Sequence, residues 1–255
     1  KDAKLTPRIT ETAKALWYVY LGLTLACALA YWAAGMTPFD AVGHSFSTIA
    51  IGGFSTHDAS MGYFDSRLIE MIAVVFLLIA GGNFALHFLA WRQASLAVYW
   101  RDSEFRFYLG VLALVTVLVV PVLYFTDTYL FWDEALTQGL FQVVSIGTTA
   151  GFTTTEFYYW PGFLEILLLF SSFVGGCAGS TGGGIKVIRF LLLRAGVEVS
   201  EAENGVAALK RFETEQRLPE DRPIDCGEPE AIVFGMGAIG TATYDALNKR
   251  LDGRV

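Results

Sequence analysis

The chain has 255 residues, 54% of them apolar and only 17% charged, with a formal net charge of −7. The charged share falls below the roughly 25% usual for soluble domains. With a mean hydropathy of +0.47 this excludes a disordered chain. The acidic balance gives no long-range pull on phosphate backbones, so nucleic acid is excluded as a partner. Three scattered cysteines (Cys27, Cys177, Cys226) make neither a disulfide framework nor a zinc site. The composition is that of a membrane protein.

Four uncharged runs follow in chain order: 15–39, 71–91, 107–126 and 166–185, of 25, 21, 20 and 20 residues. About 20 apolar residues at 1.5 Å rise cross roughly 30 Å of hydrocarbon, so each run is long enough to span. The first run is too long for the apolar part of a cleaved signal peptide and reads as a retained helix. Lys and Arg fall before span one, between spans two and three, and after span four. Segments 31–66 and 126–165 contain none. The positive-inside rule then puts the N-terminus and the C-terminal tail in the cytoplasm.

The two outer connections are long and repeat each other. A shift of 98 residues superimposes Ser47 on Ser145, Gly53 on Gly151, Phe54 on Phe152 and Thr56 on Thr154. The unit of helix, re-entrant loop and helix therefore occurs twice, over 15–91 and 107–194. Irregular backbone at membrane depth is tolerated only where protein buries it or where it lines a water-filled path. Uncharged Gly, Ser and Thr make an oxygen-rich lining whose carbonyls can replace the hydration shell of an alkali cation. The short stretches 40–46 and 133–144 begin with carboxylates, as helix N-termini favour. Their C-terminal ends, carrying about −0.5 charge, would point toward the ion. Plain Gly/Thr-rich turns are the simpler alternative, but duplication at matched positions argues against them.

The strings STIAIGGFSTHDAS, SIGTTAGFTTTEFYYWPG and GGCAGSTGGGIKVIRF resemble the TrkH/KtrB potassium-uptake family over residues 1–194. The resemblance implies an all-α membrane protein of the bacterial inner membrane, embedded in lipid, with potassium as its transported substrate. It also implies that Ala50, Ile51, Gly52 and Gly53, with Thr148, Thr149, Ala150 and Gly151, supply filter carbonyls. A homodimer and gating by a cytoplasmic nucleotide-binding subunit are further implications. In that family one chain holds four repeats, whereas two are present here. Either two copies associate, or the chain is part of a larger protein, or it is a truncated or joined sequence.

Six of the ten residues 175–184 are glycine. At about 1 kcal/mol each relative to Ala, that excludes a continuous helix, so span four must break near mid-membrane and resume over 185–193. Close helix packing would instead space its glycines. The resemblance makes this break a gating loop of Gly175, Gly176, Gly179, Ser180, Thr181, Gly182, Gly183, Gly184 and Lys186. Lys186 otherwise anchors the helix end at the inner interface.

After Arg194 the composition turns acidic and soluble. Residues 195–230 read as an acidic linker that also resembles part of a receiver domain. In 231–255, AIVFGMGAIG places Gly235, Gly237 and Gly240 after a short apolar run, as in dinucleotide-binding β–α units, so NAD or ATP is a candidate ligand. The string resembles the nucleotide-binding domain of potassium–proton antiporters, but it stops before the ribose-binding acid and forms only a short α/β fragment. Two other functions compete with a potassium pore. A secondary transporter usually carries an acid within its spans, and these runs have none. A membrane-anchored nucleotide-binding regulator would work through the tail. His44, His57 and His87 are scattered and support no enzyme; His44, aligned with Gln142, reads as a structural residue of the short pore helix.

Overall fold

The computed structural model describes residues 5–194. The chain divides into two compact units, one of residues 14–187 and the other of residues 1–13 and 188–255. Of the second, only 5–13 and 188–194 are described, and both are helical. The expected linker 195–230 and β–α unit 231–255, with Gly235, Gly237 and Gly240, lie outside the described residues. Everything described is helix, turn or loop, with no strand among the described residues.

Helix α1 (Leu5–Ala33) holds residues 15–33 of the first uncharged run, whose last residues enter the next helix. Leu21, Leu25, Leu29 and Trp32 fall on one exposed stripe, while Cys27 and Tyr31 on the opposite stripe are fully buried. A helix apolar on both its packed and its exposed face suits lipid rather than water. The Thr24 hydroxyl, on the packed side, donates back to the Tyr20 carbonyl, and the buried Tyr31 hydroxyl meets that of Thr48 at 2.9 Å. Helix α2 (Pro38–Ile49) starts with Pro at its first turn and a Thr37 cap whose hydroxyl oxygen accepts from the Asp40 N–H.

The second run does not form the continuous span expected. It breaks into α3 (Arg67–Ala80) and α4 (Phe84–Gln93), bent by 95°. The cause is local: Gly81 and Gly82 end the first helix, and the Asn83 side chain accepts from the Ala85 N–H at 2.9 Å, capping a new one. A Cβ on Gly81 would lie 2.2 Å from the Tyr108 hydroxyl, so the break also packs tightly against the second repeat.

The short α5 (Ala97–Arg101) leads to α6 (Ser103–Phe125), capped by the Asp102 carboxylate, which accepts from the Phe105 N–H. Helix α7 (Trp132–Gly147) lies against α6, α3 and α8 (Leu164–Val174). The approach to α6 is close because α7 presents Gly139 and Gly147 to it: a Cβ there would meet Val120 at 2.8 Å and Leu112 at 2.6 Å. The last run breaks after Val174 and resumes as α9 (Val187–Arg194), so the expected interruption is present. By length and composition α1 and α6 are spans, and the bent α3–α4 pair is a third candidate. This is the all-α membrane architecture read from the sequence, with α2 and α7 as the short helices of the two repeats.

Candidate functional site

The two repeats match bond for bond where their short helices end. Helix α2 stops at Ile49 and α7 at Gly147, positions related by the same 98-residue shift. The Ala50 N–H donates to Phe46 O at 3.0 Å, and the Thr148 N–H to Val144 O at 2.9 Å. Gly52 donates to Ser47 O at 2.7 Å, and Ala150 to Ser145 O at 2.8 Å. Ile51 and Thr149 both adopt left-handed backbone, with φ of 52° and 73°. For β-branched residues this is a rare and costly conformation, and it occurs here twice at equivalent positions. Gly53 (φ 68°) and Gly151 (φ 86°) follow, again as a pair.

These loops are in contact. A Cβ built on Gly53 would fall 2.0 Å from the Ala150 carbonyl oxygen and 3.2 Å from the Gly151 carbonyl carbon. Only glycine lets the two backbones approach so closely. The eight residues expected to form one site therefore form two adjoining backbone segments, each entered from a helix C-terminus.

Polar side chains brace each loop from behind. Asp40, in the first turn of α2, accepts from the Thr37 hydroxyl at 2.7 Å and the Thr56 hydroxyl at 2.6 Å, and His57 Nε2 lies 3.2 Å away. The Thr56 bond first, then that of Thr37, holds the Asp40 carboxyl below the ordinary carboxylate value, against the opposing effect of burial. His44 is fully buried, with Nδ1 on the Asp40 carbonyl at 2.8 Å and Nε2 on the Ser55 hydroxyl at 2.9 Å, in keeping with a structural role. In the second repeat the Ser145 hydroxyl donates to Phe152 O at 2.7 Å.

The glycine-rich segment lies against both loops. Gly175 takes φ 68° and ψ −158°, a region open essentially only to glycine, and a Cβ there would strike Gly183 O at 2.1 Å. The Thr181 hydroxyl donates to Ile49 O at 2.8 Å, and the Gly183 N–H donates to the Thr149 hydroxyl at 2.6 Å. A Cβ on Gly182 would lie 3.0 Å from Thr148 O. Lys186 is half-buried and belongs to this segment. Its ammonium turns into the segment and donates to Gly182 O and to the Ser180 hydroxyl. Gly176, Gly179 and Gly184 pack against Gly81 O, Asn83 and Gly175 respectively, so every residue expected in the loop belongs to one folded knot.

Residues the sequence reading missed hold this knot. Glu104, fully buried in the first turn of α6, accepts from the Ala178 N–H at 2.6 Å. The α3–α4 break docks against the α8–α9 break: Cys177 N–H donates to Gly81 O at 2.8 Å, and Phe84 N–H to Gly179 O at 3.2 Å. The 98-residue shift puts Gly81 on Gly179, so the two interruptions occupy the same place in the two repeats. The signal was available: Gly-Gly-Asn inside an apolar run is a helix stop followed by a cap.

The family model described as a TrkH cation transport protein matches residues 1–210. The chain belongs to the TrkH family. Among TrkH relatives, the Trk system potassium uptake protein TrkH of Vibrio parahaemolyticus is 63% identical over 195 residues, covering 76% of this chain and 40% of that protein. The TrkH of Escherichia coli K12 is 60% identical over 193 residues with the same coverage. The crystal structure of the potassium transporter TrkH from Vibrio parahaemolyticus superposes with a TM-score of 0.73 and 51% identity, over 98% of this chain and 50% of that one. The chain thus spans about 40% of the length of these curated TrkH relatives. The family resemblance read from three sequence strings is borne out.

Proposed function

We propose that this chain contributes two of the repeats that surround a potassium-translocating pore. The observation that carries the reading is the contact between the two equivalent loops, Gly53 against Ala150 and Gly151, at the ends of α2 and α7. Carbonyls of residues 50–53 and 148–151 would replace part of the ion's hydration shell. The C-terminal ends of both helices add a fixed negative potential that favours a cation. The names of the relatives support potassium as that cation.

Under the same proposal the segment 175–186 gates the path, because it hydrogen-bonds to Thr149 and to the end of α2. The chain would lie in the bacterial inner membrane with its N-terminus and tail cytoplasmic, as a homodimer regulated by a nucleotide-binding subunit. Residues 1–194 would form the pore domain, 195–230 a linker and 231–255 a nucleotide-binding unit. The test is uptake by potassium-requiring cells that carry the protein on its natural gene. Gly53→Ser and Gly151→Ser should each lower the preference for potassium over sodium. An unchanged preference in both variants overturns the reading. Titration of the purified protein with NAD and with ATP tests the tail.

A further inference from the structure

Glu70 is 95% withdrawn from solvent, with a relative exposure of 5%, yet it belongs to the first repeat and touches the second. Its two carboxylate oxygens accept from the Gln138 side-chain amide at 3.3 and 3.4 Å. The Gln138 carbonyl oxygen in turn accepts from the Thr154 hydroxyl at 2.5 Å, and the Thr154 oxygen accepts from the Gln142 amide at 3.3 Å. The donors run in one direction, from Gln142 through Thr154 and Gln138 to the carboxylate. A carboxylate can only accept, so it fixes the polarity of the whole chain.

The repeat relation explains why the carboxylate sits there. The shift of 98 residues places Asp40 on Gln138 and Thr56 on Thr154. In the first repeat the loop threonine ends directly on a buried carboxylate, since the Thr56 hydroxyl donates to Asp40. In the second repeat the equivalent position is neutral, and Glu70 supplies the charge through one amide from across the repeat boundary. The same boundary carries two more ties onto this limb of the loop. Thr153 N–H donates to the Ser60 hydroxyl at 3.2 Å, and Gly62 N–H donates to Thr153 O at 3.1 Å.

We infer that Glu70 is a positioning residue for the second glycine loop, holding backbone 148–151 in its ion-selective shape through Gln138 and Thr154. The inference rests on the pore reading above and adds to it a residue that sets selectivity without touching the ion. It is tested in the protein expressed from its natural gene, by rubidium uptake in competition with sodium. A second readout is the melting temperature of the purified protein in KCl against NaCl, which reports ion preference without transport. Glu70→Ala should lower the potassium-over-sodium preference about tenfold, the loss expected when a hydrogen bond to a charged group disappears. Glu70→Gln, which keeps an acceptor, should lose less. Adding Gln138→Asp to Glu70→Ala should restore the preference, because Thr154 then meets a carboxylate as Thr56 does.

An unchanged preference in both Glu70 variants, or a loss that Gln138→Asp does not restore, overturns the inference. Gly151→Ser serves as the control. If it alters the preference while the Glu70 variants do not, the positioning role falls and the pore reading stands. If none of these variants alters it, and Gly53→Ser does not either, both fall.

Discussion

The Gly183 N–H donates to the Thr149 hydroxyl at 2.6 Å, tying the glycine-rich segment to the loop that follows α7. Thr149→Val keeps the β-branched shape and removes only the acceptor. A neutral hydrogen bond contributes about 1 kcal/mol net, so amide exchange within 175–186 should quicken about fivefold. Hydrogen-exchange mass spectrometry reads this directly. Undiminished protection of Gly183 would show that the bond does not hold the segment.

Gly53 and Gly151 are equivalent by repeat but not by surroundings. A Cβ on Gly53 meets the Ala150 carbonyl at 2.0 Å, whereas one on Gly151 meets nothing within 4 Å. Gly151→Ala therefore bears only the left-handed backbone penalty of about 1–2 kcal/mol. Gly53→Ala must also push two backbones apart and should be the more damaging by at least about 2 kcal/mol. Thermal melting of the two variants in detergent should rank them in that order, and equal melting temperatures would contradict the contact.

Glu104 is the buried carboxylate on which the Ala178 amide ends. Removing it in Glu104→Ala takes away a hydrogen bond to a charged group, so a loss of about 2 kcal/mol is expected. For a domain of this size that lowers the melting temperature by about 4–8 °C. Glu104→Gln retains an acceptor for the amide and should lose less. If both variants melt like the parent protein, the bond makes no net contribution.

Asp40 gives a pH dependence of definite sign. Its carboxyl titrates lower in the folded protein than in the unfolded chain, chiefly because of Thr56. The stability it contributes is thus complete above the unfolded value of about 3.9. It is lost as the pH falls from there through the lower folded value. Thr56→Val removes the largest cause, so Asp40 should titrate nearer its ordinary value: the variant should be less stable at neutral pH, and its acid limb should be shallower and end at a higher pH. Melting curves from neutral pH to about pH 3 compare the two proteins, and coincident acid limbs would remove Thr56 as the cause.

Much of the site was legible because a duplicated sequence carries its own internal check. The match of Gly53 with Gly151 placed the two loops, and the concentration of glycines in 175–184 placed the second break. The bend at 81–83 escaped because counting uncharged residues measures length and polarity, and a turn between two apolar helices changes neither. Glu70 escaped because it served only to bound a span, and Glu104 because it lies outside every uncharged run, where no buried group was sought. The two phenylalanines show a further limit. Phe152 is fully buried and stacks on His44, while its repeat partner Phe54 is 81% exposed. Identical residues at equivalent positions differ here through their neighbours, which the repeat pattern does not contain.

The interlocked elbows at 81–83 and 175–186 have a mechanical consequence. Each supplies the carbonyl on which an amide of the other rests, Gly81 for Cys177 and Gly179 for Phe84. Swinging α4 away from α3 would strip a donor from Gly179, and unfurling the segment after α8 would strip one from Gly81. The pair is geared together, so opening either elbow breaks a backbone bond that the other elbow also depends on.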